Sequence, residues 1–176
     1  PAETPLISVR GEVPGRTRVS FDSLLNTPSG AEAQAAFDAT GPDSIAKFLF
    51  TSGSTKLPKA VITTQRMLCA NQQMLLQTFP VFGEEPPVLV DWLPWNHTLG
   101  GSHNVGIVLY NGGTFYLDDG KPTAQGFAET LRNLKEVSPT AYLTVPKGWE
   151  ELVSALENDG ELRERFFAQM KLFFFA

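Results

Sequence analysis

Residues 46–64 read AKFLFTSGSTKLPKAVITT, and this stretch decides the fold. Its two short apolar runs, at 48–50 and 60–63, predict buried β-strands. Small and hydroxylated residues lie between the runs, together with Lys56 and Lys59. Small residues leave backbone N–H groups and hydroxyls accessible, and the lysines add positive charge, so the loop suits the oxygens of a polyphosphate. An ordinary turn between two strands has the same composition, and spacing alone leaves both interpretations open.

The loop differs from the P-loop of nucleotide triphosphatases. A P-loop reads G-x-x-x-x-G-K-[ST] and opens a helix. Here Gly53 comes early and a predicted strand follows the lysines. A nucleotide-triphosphate hydrolase is therefore ranked third among the functions that the sequence suggests, behind two that are described below.

After this hairpin, apolar strands and amphipathic helices alternate four times. Strands are predicted at 88–94, 114–117, 140–145 and 172–175, and helices at 65–78, 99–109, 123–137, 146–157 and 161–170. Uniformly apolar strands that alternate with helices predict an α/β fold, a mostly parallel sheet with helices on both faces. Met67 and Met74 are expected in its core. We divide the chain into an irregular N-terminal segment, residues 1–45, and an α/β subdomain, residues 46–176.

Composition excludes several classes of function. A net charge of −5 gives no basic surface for nucleic acid. The single cysteine, Cys69, provides no disulfide framework, which favours the cytoplasm. No apolar run approaches the length of a membrane span, and the N-terminus lacks a signal-peptide pattern.

A second group of candidate residues follows the predicted strand at 88–94. The segment reads PWNHTLGGSH, residues 94–103. Ligands bind at the carboxyl ends of parallel strands, which is where His97 is expected. A histidine that only caps its local turn is the alternative, and both remain open. A metal site shared with His103 is disfavoured, because six residues of helix would place the two rings on different faces.

Both segments resemble motifs of the adenylate-forming enzymes, the superfamily of acyl-CoA synthetases, luciferases and peptide-synthetase adenylation domains. Residues 51–61 are similar to the loop T-S-G-[ST]-T-G-x-P-K-G/A-V, and only Lys56 departs from it, at a position where the family has glycine. A lysine side chain at that position disfavours a positive φ angle and keeps a phosphate from approaching the backbone closely. Pro94, His97 and Gly100 resemble the family's fourth motif.

The resemblance implies the chemistry and its residues. Relatives use Mg²⁺-ATP to convert a carboxylic acid into an acyl adenylate, and coenzyme A then takes the acyl group as a thioester. By resemblance the ATP phosphates are held by Thr51, Ser52, Gly53, Ser54, Thr55 and Lys59. The acyl pocket is formed by His97, Trp95 and Gly100. The family's adenine and magnesium motifs, its ribose-binding aspartate and its catalytic lysine have no counterpart among these residues.

Residues 91–98 and 145–152 most resemble feruloyl-CoA synthetases, which implies ferulate or another hydroxycinnamate as the acid. The apolar ending at 172–175 predicts a piece of the N-terminal domain of a larger ligase, inactive alone, with bared apolar surface that could support a homo-oligomer. The alternative is a non-catalytic remnant or interaction module on the same scaffold.

Overall fold

A computed structural model describes residues 5–51 and 58–175, and the chain divides into two compact units, Pro1–Gly41 and Pro42–Ala176. The first unit holds two short parallel strands and two helices. They are β1 (Leu6–Ser8), β2 (Arg18–Ser20), α1 (Phe21–Leu25) and α2 (Ala31–Asp38). Neither helix has a buried residue, so the apolar core of the molecule lies in the second unit.

The second unit opens with the predicted hairpin. Strands β3 (Ile45–Thr51) and β4 (Lys59–Thr64) pair antiparallel, with a register shift near Ile45. The turn into α3 (Gln65–Thr78) is fixed by the Thr64 hydroxyl, which accepts a hydrogen bond from the Met67 N–H at 3.3 Å. A threonine at this position satisfies one of the free N–H groups of the helix.

The remaining strands alternate with helices. The strands are β5 (Val88–Asp91), β6 (Thr114–Leu117), β7 (Ala141–Thr144) and β8 (Leu172–Phe175). The helices are α4 (Val81–Glu84), a π-helix (Leu99–Asn104), α5 (Val105–Asn111), α6 (Ala124–Glu136), α7 (Pro146–Asn158) and α8 (Gly160–Phe167). β5 pairs with β6 and β7 pairs with β8, both in parallel.

β5 and β7 lie side by side and run in the same direction. At their starts the Thr140 N–H donates to the Val88 carbonyl at 3.0 Å. At their ends Asp91 and Leu143 both accept from the Asn104 amide. The carboxyl ends of the central strands therefore meet at one edge, where ligands bind in folds of this kind.

Helices cover both faces of these central strands. On one face Val90 and Tyr142 pack against α6, α7 and α8. On the other, Leu89 and Leu143 pack against α4 and α5. Neighbouring residues of one strand thus enter opposite cores, which explains why the strand sequence is apolar throughout. The predicted α/β fold is confirmed.

Burial was predicted wrongly outside these strands. Phe48 and Phe50 of the hairpin are 53% and 71% exposed, and Phe175 of β8 is 67% exposed. Met67 and Met74, expected in the core, are 56% and 57% exposed. An apolar run indicates that burial would be favourable, but burial also requires another element to pack against it. In the described part of the chain no element covers these side chains.

The segment predicted as a helix over 99–109 is two elements. The π-helix Leu99–Asn104 leads into α5, which ends at Gly112 in the left-handed region with φ +65°. Glycine adopts this conformation without a steric cost, so α5 ends at Asn111, two residues beyond the predicted end at 109. Helix α4 was missed, because four residues are too few to show a helical period.

No helix within residues 5–51 and 58–175 is both long enough and apolar enough to cross a membrane.

Candidate functional site

His97 lies in a tight turn between β5 and the π-helix. Its N–H donates to the Pro94 carbonyl at 3.1 Å, and its own carbonyl accepts from the Gly101 N–H at 2.9 Å. Its ring nitrogen Nδ1 accepts a hydrogen bond from the Leu99 N–H at 3.2 Å. The local capping role, which the sequence left open, is therefore present.

His97 also lines a pocket of about 600 Å³. The pocket is bounded by the hairpin, by α3 and by the segment from Asn96 to His103. Its polar lining consists of hydroxyls, amides and imidazoles from Thr51, Thr63, Asn71, Asn96, His97, Thr98, Ser102 and His103. Its apolar lining consists of Leu49, Phe50, Val61, Met67 and Leu68. Among the lining residues that the structure describes there is no lysine, arginine, aspartate or glutamate, and the hydroxyl and amide groups can donate hydrogen bonds to an anion.

Thr51 lies on this pocket and ends β3, directly before the predicted phosphate loop. Its hydroxyl donates to the Lys59 carbonyl across the hairpin at 3.4 Å, and the Lys59 side chain is exposed. The structure thus places Thr51 and His97, which belong to two separate sequence motifs, on the same pocket. Of the other predicted phosphate ligands, Ser52, Gly53, Ser54 and Thr55 lie outside the described residues, as does Lys56.

Trp95 and Gly100 are not among the described residues that line this pocket. Trp95 is 55% exposed and packs edge-to-face on Phe115, with ring centroids 6.1 Å apart. Gly100 is buried against the chain, where a Cβ would lie 2.7 Å from the Pro94 carbonyl oxygen. That glycine allows the π-helix to approach the turn of His97. Contact of these two residues with the acid stays a prediction.

Lys47 connects the hairpin to the histidine segment. Its ammonium group is half-buried and donates to the Gly101 carbonyl at 2.9 Å. A partly buried lysine requires such a partner, because burial of an unpaired charge is costly. The sequence analysis missed this residue, although a lysine inside the apolar run 45–50 was a usable signal.

A buried polar chain leads from β5 to the pocket. Asp91 and Asn104 are 5% and 0% exposed. Asn104 Nδ2 donates to Asp91 Oδ2 at 2.8 Å, and Asn104 Oδ1 lies 2.9 Å from His103 Nδ1. The His103 ring stacks on Phe174 with centroids 5.8 Å apart. His97 and His103 line the same pocket. His97 precedes the π-helix, so the helical rotation assumed between the two rings does not apply to it.

Burial raises the pKa of Asp91 above its ordinary value. The backbone N–H of Leu93 and the amide of Asn104 oppose this shift, because they donate to the ionised carboxylate. Sequence reasoning could have noticed this aspartate, since it ends an otherwise apolar strand at the predicted ligand edge.

Metal ligands are not clustered in the part of the chain that the structure describes: no group of three or more His, Cys, Asp or Glu side chains there could hold an ion. The pocket offers neutral hydroxyls and amides without a carboxylate, which does not fit a resident Mg²⁺ site.

The sequence pattern described as "AMP-binding enzyme" matches residues 5–174. The chain belongs to this family. Its relatives include peroxisomal long chain acyl-CoA synthetase 6 of Arabidopsis thaliana, 28% identical over 154 residues, which cover 85% of this chain and 20% of that protein. Carboxylic acid reductase of Mycobacterium marinum is 29% identical over 140 residues, 78% of this chain and 11% of that protein.

Solved structures share this fold. A malonyl-CoA ligase in a ternary product complex with methylmalonyl-CoA and AMP superposes with a TM-score of 0.71 at 23% identity, over 99% of this chain and 36% of that one. ATP-bound MatB from Rhodopseudomonas palustris superposes with a TM-score of 0.60 at 23% identity, over 92% of this chain and 31% of that one. The chain spans about a fifth of the length of the plant synthetase.

Proposed function

We propose that this chain is the part of an acid–CoA ligase where the ATP phosphates meet the carboxylic acid. The observation that carries the proposal is that Thr51, at the end of β3, and His97, after the end of β5, line one pocket. Thr51 begins the loop that resembles the family's phosphate-binding loop. His97 belongs to the motif that in relatives stands beside the acid.

The proposed reaction has two steps. A carboxylate oxygen attacks the α-phosphorus of ATP, forming the acyl–phosphate bond and releasing pyrophosphate. The thiol of coenzyme A then attacks the acyl carbon, and AMP leaves with the electron pair. The described residues serve the first step by holding two like-charged reactants together. The neutral donors of the pocket would stabilise charge that grows on the phosphate oxygens. Mg²⁺ would enter as part of the substrate, bound to the triphosphate.

For the acid we propose ferulate or a related hydroxycinnamate. The resemblance of residues 91–98 and 145–152 to feruloyl-CoA synthetases supports this choice. The pocket is compatible with it, because about 600 Å³ and an apolar wall that includes Phe50 suit a planar aromatic acid. The known relatives act on other acids by name, which makes the acid the first thing to test.

The experiment measures pyrophosphate release with Mg²⁺-ATP and a panel of acids: ferulate, a long-chain fatty acid, malonate and acetate. It is run on this chain and on the protein encoded by the complete gene. We expect release that depends on ferulate from the complete protein, and none from the chain alone. Pyrophosphate release with a fatty acid or malonate in place of ferulate would support the ligase function and reject ferulate as the acid. No release with any acid would overturn the ligase.

The second candidate is a non-catalytic scaffold or interaction module. The specific observation that favours it is the hydrogen bond from the Leu99 N–H, which already occupies one ring nitrogen of His97. The exposed apolar side chains of β8 would then form the contact surface, and a homo-oligomer is one such contact. Under this alternative the complete protein releases no pyrophosphate with any acid.

A further inference from the structure

The orientation of the Asn104 side chain is fixed by its two acceptors. Nδ2 lies 2.8 Å from Asp91 Oδ2 and 3.5 Å from the Leu143 carbonyl oxygen. Both partners accept hydrogen bonds, so the amide nitrogen must face them and Oδ1 must face His103. Exchange of the two amide atoms would place an oxygen against a carboxylate inside a fully buried site, which is costly.

This orientation determines which nitrogen of His103 carries the proton. Asn104 Oδ1 is an acceptor and lies 2.9 Å from His103 Nδ1, so Nδ1 must be the donor. In the neutral ring Nε2 then has a free lone pair and acts as an acceptor. Stacking on Phe174 fixes the plane of the ring at 23° to that neighbour. The buried Asp91 thus sets the tautomer of a pocket histidine through one intervening amide.

His97 is held in the opposite tautomer, with the proton on Nε2. A backbone N–H can only donate, and the Leu99 N–H is 3.2 Å from His97 Nδ1. Nδ1 of His97 is therefore the acceptor and Nε2 carries the proton. No described partner occupies Nε2 of either ring.

We propose that Asp91 and Asn104 are positioning residues that hold His103 as its Nδ1–H tautomer, so that the two pocket histidines offer a bound molecule one N–H donor and one acceptor. His97 Nε2–H is the donor and suits an anionic oxygen. His103 Nε2 is the acceptor and suits a hydroxyl or amide N–H on the same molecule. The proposed preference for a molecule with both groups rests on the proposed ligase function. The assignment of the two tautomers is independent of that function.

The first test is a nitrogen–proton NMR correlation spectrum of the imidazole rings in the ¹⁵N-labelled chain. The spectrum is recorded at alkaline pH, and the pattern of one-bond and two-bond nitrogen–proton couplings identifies the tautomer of each ring. The chain has two histidines, and a His97→Gln variant tells their signals apart. We expect His103 as Nδ1–H and His97 as Nε2–H. His103 found as Nε2–H, or averaging between both tautomers, would overturn the proposal.

An Asp91→Asn variant tests the role of the carboxylate. The Leu93 N–H donates to Asp91 Oδ1 at 2.9 Å and cannot turn round, so the new amide would keep its oxygen there. Its NH₂ group would then face Asn104 Nδ2, and two amide nitrogens cannot accept from each other. We expect Asn104 to turn over, because the lost contact with the Leu143 carbonyl at 3.5 Å is weaker than the bond at 2.8 Å that it regains, and the proton of His103 then shifts to Nε2. We expect this switch of tautomer, with His97 unchanged. Unchanged tautomers in a folded variant would show that Asp91 plays no positioning role.

Asp118→Asn is the matched control. It removes the same charge at the end of the neighbouring strand, where Asp118 Oδ1 accepts from the Gly120 N–H at 2.8 Å and from Asn133 Nδ2 at 3.2 Å. Among the described residues its carboxylate has no hydrogen bond to Asn104 or to either histidine. We expect both tautomers to be unchanged in this variant. If Asp91→Asn fails to fold, the spectrum of the unsubstituted chain still decides between the two tautomers of His103.

The consequence for binding is tested in the complete protein with two probes, ferulate and its 4-O-methyl ether. The ether lacks the hydroxyl that would donate to His103 Nε2. We expect KM to favour ferulate by about three- to tenfold, the effect of one hydrogen bond, and Asp91→Asn to abolish this preference with a smaller change in kcat. Equal KM values before substitution would overturn the acceptor role. Correct tautomers without any pyrophosphate release would instead reject the proposed function alone.

Discussion

The central strands and the hairpin have the same kind of sequence and opposite environments. Leu89 of β5 and Tyr142 of β7 are each 1% exposed, whereas Phe50 of β3 is 71% exposed. The central strands are covered by helices on both faces, and the hairpin carries its apolar side chains into a pocket and solvent. The first region therefore supplies stability, and we propose that the second supplies a binding surface whose apolar groups remain available.

The largest expected effect is a difference between the two regions in how much a phenylalanine side chain contributes to the free energy of unfolding. Phe166 of α8 is 0% exposed and packs on Tyr142, so Phe166→Ala should lower the free energy of unfolding by about 3–5 kcal/mol. Phe50→Ala removes the same ring from an exposed site and should change it by less than about 0.5 kcal/mol. Urea unfolding followed by circular dichroism measures both. Equal losses would show that the hairpin belongs to the core.

An intermediate effect is expected for Lys47, which joins the two regions. Lys47→Met keeps the aliphatic stem and removes the hydrogen bond to the Gly101 carbonyl. The loss should be about 1 kcal/mol, because the ammonium is only half-buried and one backbone acceptor loses its partner. The control is Lys59→Met, where an exposed lysine of the same hairpin is replaced, with no measurable change expected. Thermal unfolding of the two variants gives the comparison.

The smallest expected effect is a difference in pH dependence between the two regions. Burial raises the pKa of Asp91, whereas the hydrogen bond from the Arg66 guanidinium lowers the pKa of Asp43, beside the hairpin. Stability linked to Asp91 is therefore complete below its ordinary value of 3.8 and declines as the pH rises through the raised pKa. Stability linked to Asp43 is complete above 3.8 and is lost as the pH falls through the lowered pKa.

Asp91→Asn and Asp43→Asn should therefore change the slope of stability against pH in opposite directions in the acid range. Denaturation midpoints measured from neutral to acid pH would show this. Slopes that change in the same direction would mean that Asp91 gains more from its donors than it loses by burial.

The sequence predicted what depends on local chemistry. Helices were predicted over 65–78 and from residue 146, and α3 (Gln65–Thr78) and the start of α7 at Pro146 confirm both. A threonine cap and a proline at the first helical position are local features of residue type. The alternation of apolar strands with helices sufficed for the α/β fold. The position of His97 at the ligand edge followed from the same topology.

What the sequence could not predict depends on contacts between distant residues. Asn104 and Leu143 are remote in sequence and meet only because β7 lies beside β5. His103 lies on the pocket of His97 because His97 precedes the π-helix, and the sequence pattern did not show where that helix begins. Exposure of Phe50 likewise follows from the absence of a covering element among the described residues, and periodicity carries no such information.

The central claim, that the end of the hairpin holds the ATP phosphates, is tested most directly by an ATP analogue with a reactive acyl group on its γ-phosphate. A lysine beside that phosphate attacks the acyl carbon, forms an amide and releases ATP, and mass spectrometry locates the modified residue. In the complete protein we predict modification of Lys59 that excess ATP prevents, and none of Lys147 on α7. Lys59 left unmodified, or modified equally with and without ATP, would contradict the account.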